Sequence, residues 1–247
     1  MEELKKLEIA KKNILRMPEG NLESNIFIKG YDFNNKLDYS KLIDSYFTTG
    51  YQATHLAEAI EIIKKMREEK CTIFLGYTSN MVSSGLREVF RYLAEHKLVD
   101  VIVTTGGGVE EDLIKTIKPF ILGEFTASGK ALRESGINRI GNIYVPNDRY
   151  VEFEKFFIPL VDKLAKIKET YTPSELIDIL GKEINNKESI YYWCHKNSIP
   201  VFCPALTDGS IGDMTYFYLY QNDKFKIDIA ADIKKINDIA ILLRKLD

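Results

Sequence analysis

Two stretches decide the fold: Cys71-Thr-Ile-Phe-Leu-Gly-Tyr-Thr-Ser-Asn80 and Val99-Asp-Val-Ile-Val-Thr-Thr-Gly-Gly-Gly-Val-Glu-Glu-Asp112. Each opens with a short, nearly continuous apolar run, Cys71–Gly76 and Val99–Val103, as expected of strands buried on both faces of a parallel sheet. Small polar residues or glycines follow each run and lead into a helical pattern, Ser83–His96 and Val109–Ile117. That strand–helix–strand–helix order predicts an α/β fold whose mostly parallel sheet carries helices on both faces.

Working outward, the same rhythm continues. Gly141–Val145 reads as a strand ended by Pro146, and Pro200–Cys203 and Phe225–Ile229 are strand-like. Helical patterns fill Tyr150–Lys168, Pro173–Ile184, Ile190–Asn197, Gly212–Tyr220 and Asp232–Leu246. Thr172-Pro-Ser-Glu175 is a helix start with Thr172 as N-cap, Pro173 in the first turn and Glu175 at capping-box spacing. Upstream, Leu4–Arg16 predicts a short amphipathic helix broken by Pro18-Glu-Gly20, followed by an irregular segment at Ile28–Asn35. Helices at Tyr39–Phe47 and Ala53–Glu69 flank a polar turn, Thr48–Thr54. With no repeat and no low-complexity linker, one domain is expected over 1–247, with 1–28 as an N-terminal helical arm. The last helix leads to no further strand, so the sheet is expected to be incomplete at the C-terminus. An exposed edge would then favour self-association or a partner chain.

Composition narrows the function classes. Lys plus Arg number 34 and Asp plus Glu 36, a net charge of -2, which argues against nucleic acid as the main ligand. No run of 18 apolar residues predicts a membrane span, and the Lys- and Glu-rich start lacks a secretory apolar core. Cys71, Cys194 and Cys203 have no metal-ligand spacing and read as buried thiols of a reducing cytosol. His55, His96 and His195 are scattered, giving little support to a triad or metal site. Trp193 reads as core.

Ligands of parallel sheets bind outside the carboxyl ends of the strands. Three such ends carry unusual residues. After the first strand, Ser79, Asn80, Ser83 and Ser84 fit a pyrophosphate cradle at a helix N-terminus, although one of them acting as an ordinary cap explains the segment too. After the second, Gly106-Gly-Gly108 permits close backbone approach by a ligand. Glu110, Glu111 and Asp112 then begin a helix, where they suit the helix dipole or face a cationic substrate such as a polyamine. After the strand at Val201, Asp208 and Asp213 fit a ribose hydroxyl and an amine, or simply an Asp-Gly turn capped by Ser210.

Taken in order, these segments resemble deoxyhypusine synthase. The resemblance is also carried by Lys29-Gly-Tyr-Asp-Phe33, Thr48-Thr-Gly-Tyr-Gln-Ala-Thr54, Gly136-Ile-Asn-Arg-Ile-Gly-Asn142, Leu180-Gly-Lys-Glu-Ile-Asn185 and Pro204-Ala-Leu-Thr-Asp-Gly-Ser210, and runs from about residue 29 to the last helix. It implies a Rossmann-like core, a cytoplasmic homotetramer and a reaction that uses NAD and spermidine. The 4-aminobutyl group passes to an enzyme lysine as an imine, then to a lysine of the translation factor 5A precursor. By position, Ser79, Asn80, Met81, Val82 and Ser83 match the first NAD-binding loop. Thr105, Gly106 and Gly107 match the second, although Gly106 is often Ala in the family. Glu110 and Glu111 match the acidic pair near the polyamine, Glu111 also lying close to NAD. Asp208 matches a further NAD contact and Asp213 a spermidine contact. The family's glycine turn, pocket histidine and lysine-bearing segment have no counterpart in these 247 residues. Two readings therefore stand open: a synthase component completed by a complementary C-terminal chain, or a non-catalytic paralogue or fragment that regulates a full-length synthase. A third, a Rossmann-like protein unrelated to spermidine, requires the resemblance to mislead.

Overall fold

The computed structural model describes residues 1–15 and 26–244. The proposed breaker Pro18–Gly20, and the end of the last helix at Leu246, lie outside the described residues. The chain forms two compact units, residues 1–70 and 71–247.

The first unit is helical: α1 Glu2–Ile14, α2 Tyr39–Asp44, α3 Tyr46–Thr49 and α4 Tyr51–Glu68. Asp38 caps α2 by accepting from the Ser40 and Lys41 amides. Gly50, at φ 90°, turns the chain between α3 and α4, a backbone state that glycine enters without strain. The Lys29 amide donates to the Thr48 carbonyl at 2.9 Å and the Thr48 hydroxyl to the Lys29 carbonyl at 2.6 Å, which ties the irregular segment to α3.

The second unit runs β1 Phe74–Gly76, α5 Ser79–Ser83, α6 Arg87–Glu95, β2 Val101–Val103, α7 Gly106–Ile117, β3 Ile121–Leu122, α8 Gly129–Glu134, β4 Ile137–Ile140, β5 Ile143–Pro146, α9 Asp148–Ala165, β6 Thr170–Tyr171, α10 Pro173–Ile184, α11 Ile190–Asn197, β7 Val201–Phe202, α12 Ser210–Leu219, β8 Lys226–Ile227 and α13 Ile229–Arg244. Strands β1, β2 and β7 form a parallel sheet in that order, with Leu75 opposite Ile102 and Ile102 opposite Val201. One helix group, α6, α10 and α11, and another, α5, α7, α9 and α12, pack with it. Their shared interior holds Val82, Ile102, Val109, Leu113, Phe153, Phe157, Leu180 and Tyr191, each fully or almost fully buried. The fold is thus the expected α/β arrangement around a parallel sheet.

Helix ends follow local chemistry. Thr172 and Glu175 form the reciprocal capping box at the head of α10, and Asn185 closes it in the left-handed conformation. Ser189 caps α11 by accepting from the Tyr191 and Tyr192 amides.

Several expectations are corrected. The helix read as Ser83–His96 runs only from Arg87 to Glu95, because Ser83 ends the separate short helix α5 and Ser84 follows it in an extended conformation (ψ 180°). The triple glycine is the first turn of α7, so Glu110, Glu111 and Asp112 fall in its second turn and gain nothing from first-turn dipole placement. An antiparallel sheet, β3–β5–β4, accompanies the single strand expected near Gly141, and β6 pairs with β8 in a further two-stranded ladder. Trp193 is half-buried, its indole N–H donating to the Lys187 carbonyl at 2.8 Å. Cys194 and Cys203 are buried as expected, but Cys71, which precedes β1, is exposed.

Candidate active site

Because β1, β2 and β7 are parallel neighbours, the segments after Gly76, Val103 and Phe202 emerge side by side. Close approaches bind them into one site. A methyl group placed on Gly106 would lie 2.9 Å from the Ala205 and Asp208 carbonyl oxygens and 3.0 Å from that of Leu206. One placed on Gly107 would lie 2.8 Å from the Ser79 Cβ and 3.5 Å from a Glu111 carboxyl oxygen. The absent side chains are what let the loop after β7 and the head of α5 close on the N-terminus of α7.

The residues expected to cradle a pyrophosphate divide by role. Val82 is wholly buried in the core. The Ser83 hydroxyl donates inward, to the Ser79 carbonyl and to Glu111 Oε2. Ser84 donates to the Met81 carbonyl and accepts from the Leu86 amide, so it shapes the turn. Ser79 is half-buried at the head of α5, and Asn80 and Met81 are exposed. Thr105 caps α7, its hydroxyl accepting from the Gly108 amide at 3.4 Å. Asp208 is exposed on the loop after β7, its amide donating to the Ala205 carbonyl. Asp213, also exposed, sits in the first turn of α12.

Glu110, Glu111 and Asp112 are all buried but differ in use. Glu110 Oε2 accepts from the Ile211 amide at 2.9 Å, at the head of α12. Burial outweighs that bond and raises its carboxyl above the ordinary value. For Glu111, burial and the neighbouring Glu110 outweigh the Ser83 hydroxyl and the more distant Lys115 charge, and its carboxyl is pushed up to about 7. Asp112 does not face the site. Its carboxylate takes the Arg87 guanidinium at 2.7 Å, the Ser189 hydroxyl at 2.6 Å and the Ile190 amide at 3.0 Å, locking α6, α7 and α11 together.

Sequence reasoning missed Tyr150. It stands in the first turn of α9, close enough to both glutamates for their charge, added to burial, to raise its phenol to about 12. Tyr150 and Asp213 line a cleft of about 500 Å³ with Asn138, Asn147, Glu154 and Phe217. Only an amphipathic helix announced Tyr150 in the sequence, and nothing local linked it to residues forty positions earlier. His195 pairs with Asp178 at 2.9 Å on another cavity, at the opposite end of β7. No helix among the described residues is long and apolar enough to cross a membrane.

Small-residue loops at the carboxyl ends of parallel strands, next to buried carboxyls, define an α/β protein whose candidate site lies where those strand ends meet. The comparisons sharpen this class. Residues 41–246 match the family model for deoxyhypusine synthase. A Drosophila melanogaster protein described as a probable deoxyhypusine synthase is 48% identical over 260 residues, covering 94% of this chain and 71% of its own length. Senecio vernalis deoxyhypusine synthase is 48% identical over 242 residues, covering 87% and 65% respectively. A crystal structure of an Entamoeba histolytica protein, provisionally described as a deoxyhypusine synthase, superposes with a TM-score of 0.68 at 33% identity, covering 85% of this chain and 74% of that one. The chain belongs to the deoxyhypusine synthase family.

Proposed function

We propose that this chain supplies the NAD- and spermidine-binding part of a deoxyhypusine synthase, which transfers the 4-aminobutyl group of spermidine to a lysine of the translation factor 5A precursor. The observation that carries the reading is the buried Glu110–Glu111 pair, set where three strand ends converge and next to an acidic cleft. Spermidine is a polycation at neutral pH. A buried carboxyl that holds its proton more tightly when the site is empty gives it up when an ammonium group arrives, and the resulting charge pair is far stronger there than in water. Asp213 and Glu154 extend the same charge along the cleft.

The N-terminus of α7, with its glycines, and the head of α5 suit the pyrophosphate of NAD, with Ser79, Asn80, Thr105, Gly106 and Gly107 as its contacts. Asp208 would hold a ribose hydroxyl. When bound, NAD accepts and returns the hydride, and the protein's task is to orient spermidine against it. Among the described residues, no lysine lines the cleft. In this reading the covalent lysine of the reaction is supplied by a complementary chain within a tetramer-like assembly. A cytoplasmic setting, and action of residues 1–247 as one domain with 1–28 as an arm, complete the reading.

Titrating spermidine into the NAD-loaded chain tests it. Wild type should bind, and Glu111→Gln should bind at least about tenfold more weakly, the loss of one charge-assisted bond. Equal affinities would overturn the assignment.

A further inference from the structure

Under the proposed function Glu111 has two partners to serve. It accepts the Ser83 hydroxyl, and it faces a cation. When a polyamine claims the carboxylate, the link from α7 to α5 weakens at the moment α5 must hold the cofactor.

One turn further along α7 lies a second link. Lys115 Nζ donates to the main-chain carbonyls of Val82, Ser83 and Ser84, each at 3.0 Å. These are the orphan carbonyls at the C-terminal end of α5, and an ammonium group has three donors to match them. The side chain is half-buried, its cation 5.7 Å from the centroid of the Phe120 ring. Burial, aided by Arg87, lowers its proton affinity, while nearby carboxylates act the other way. All three donors are engaged, so Lys115 is no free amine for covalent chemistry. Unlike the Ser83–Glu111 bond, these three do not pass through a group that the substrate needs.

We propose that Lys115 is a positioning residue that holds α5 against α7 while Glu111 engages the polyamine, allowing cofactor and polyamine to be bound together. This rests on the function proposed above. It adds a residue whose effect is visible only in the coupling between two ligands.

The test measures NAD affinity of the full chain by calorimetry, with and without saturating spermidine, for wild type, Lys115→Met and Lys115→Arg. In wild type, spermidine leaves NAD affinity unchanged or raises it. In Lys115→Met it should lower NAD affinity by about tenfold, the scale of a lost charge-assisted hydrogen bond. Lys115→Arg, which keeps the charge and donors, should restore most of the wild-type behaviour. If Lys115→Met fails to fold, Lys115→Gln replaces it in the same comparison. A loss of NAD affinity that is equal with and without spermidine would reduce Lys115 to a structural part and overturn the proposal. Absence of binding by wild type would instead overturn the proposed function, a separate outcome read before any variant is made.

Discussion

Replacing Glu111 by glutamine should make the protein more stable at high pH and leave it little changed at low pH. The carboxyl is buried at 8% exposure and ionises near pH 7 in the fold, against an ordinary value of 4.5. Below about pH 4.5 it is protonated whether the chain is folded or not, and its contribution is fully present. As pH rises towards 7 the unfolded chain ionises first, so stability falls. Above pH 7 the contribution is gone. Each pH unit between the two values is worth about 1.4 kcal/mol, so wild type loses up to about 3 kcal/mol that the variant, which cannot ionise, retains. Urea unfolding from pH 5 to 8.5, followed by fluorescence of Trp193, the one tryptophan, reads the difference. Other titrating groups largely cancel between the two proteins. A wild-type-minus-variant difference that is flat with pH, or that grows in favour of wild type, would refute the claim that burial governs Glu111.

Asp112→Asn removes the buried carboxylate that meets Arg87 at 2.7 Å and leaves it only the exposed Glu88 carboxylate at 3.1 Å, so it should cost up to about 3–5 kcal/mol, seen as a lower urea midpoint at pH 7. Gly107→Ala places a methyl group 2.8 Å from the Ser79 Cβ, so it should push α5 outward and weaken NAD binding by calorimetry while far-UV dichroism stays native. Thr172→Ala removes the capping box of α10 and should cost about 1 kcal/mol in the same unfolding assay without altering NAD affinity.

Where sequence reading succeeded, the signal was local. Helix α10 was expected over Pro173–Ile184 and occupies those residues, because cap, proline and glutamate all act within one turn. Helix α11 likewise matches its expected Ile190–Asn197, set by Ser189 before it and the left-handed Ser198 after it. The triple glycine misled for the opposite reason. Glycine is a poor helix former, yet α7 begins there, and its first turn is crowded by Ala205, Leu206, Asp208 and Ser79 from distant parts of the chain, leaving no room for larger side chains. Strands of two to four residues, such as β3, β4 and β6, are too short for alternation to show. The loops of the candidate site were legible because adjacent parallel strands bring the segments after their carboxyl ends side by side. Tyr150, Lys115 and Arg87 were not, since each reaches its partner across 25 or more positions from an ordinary amphipathic helix. The three neighbouring acids looked equivalent in sequence. Only packing separates the site-facing Glu111 from Asp112, which binds helices together.

Calorimetric titration of spermidine into the chain at pH 7, with and without NAD, in two buffers of different ionisation enthalpy, tests the central claim most directly. The account predicts binding when NAD is present, with release of about half a proton as Glu111, half-protonated at that pH, ionises against the arriving ammonium. No binding in the presence of NAD, or binding with no buffer-dependent heat, would contradict it.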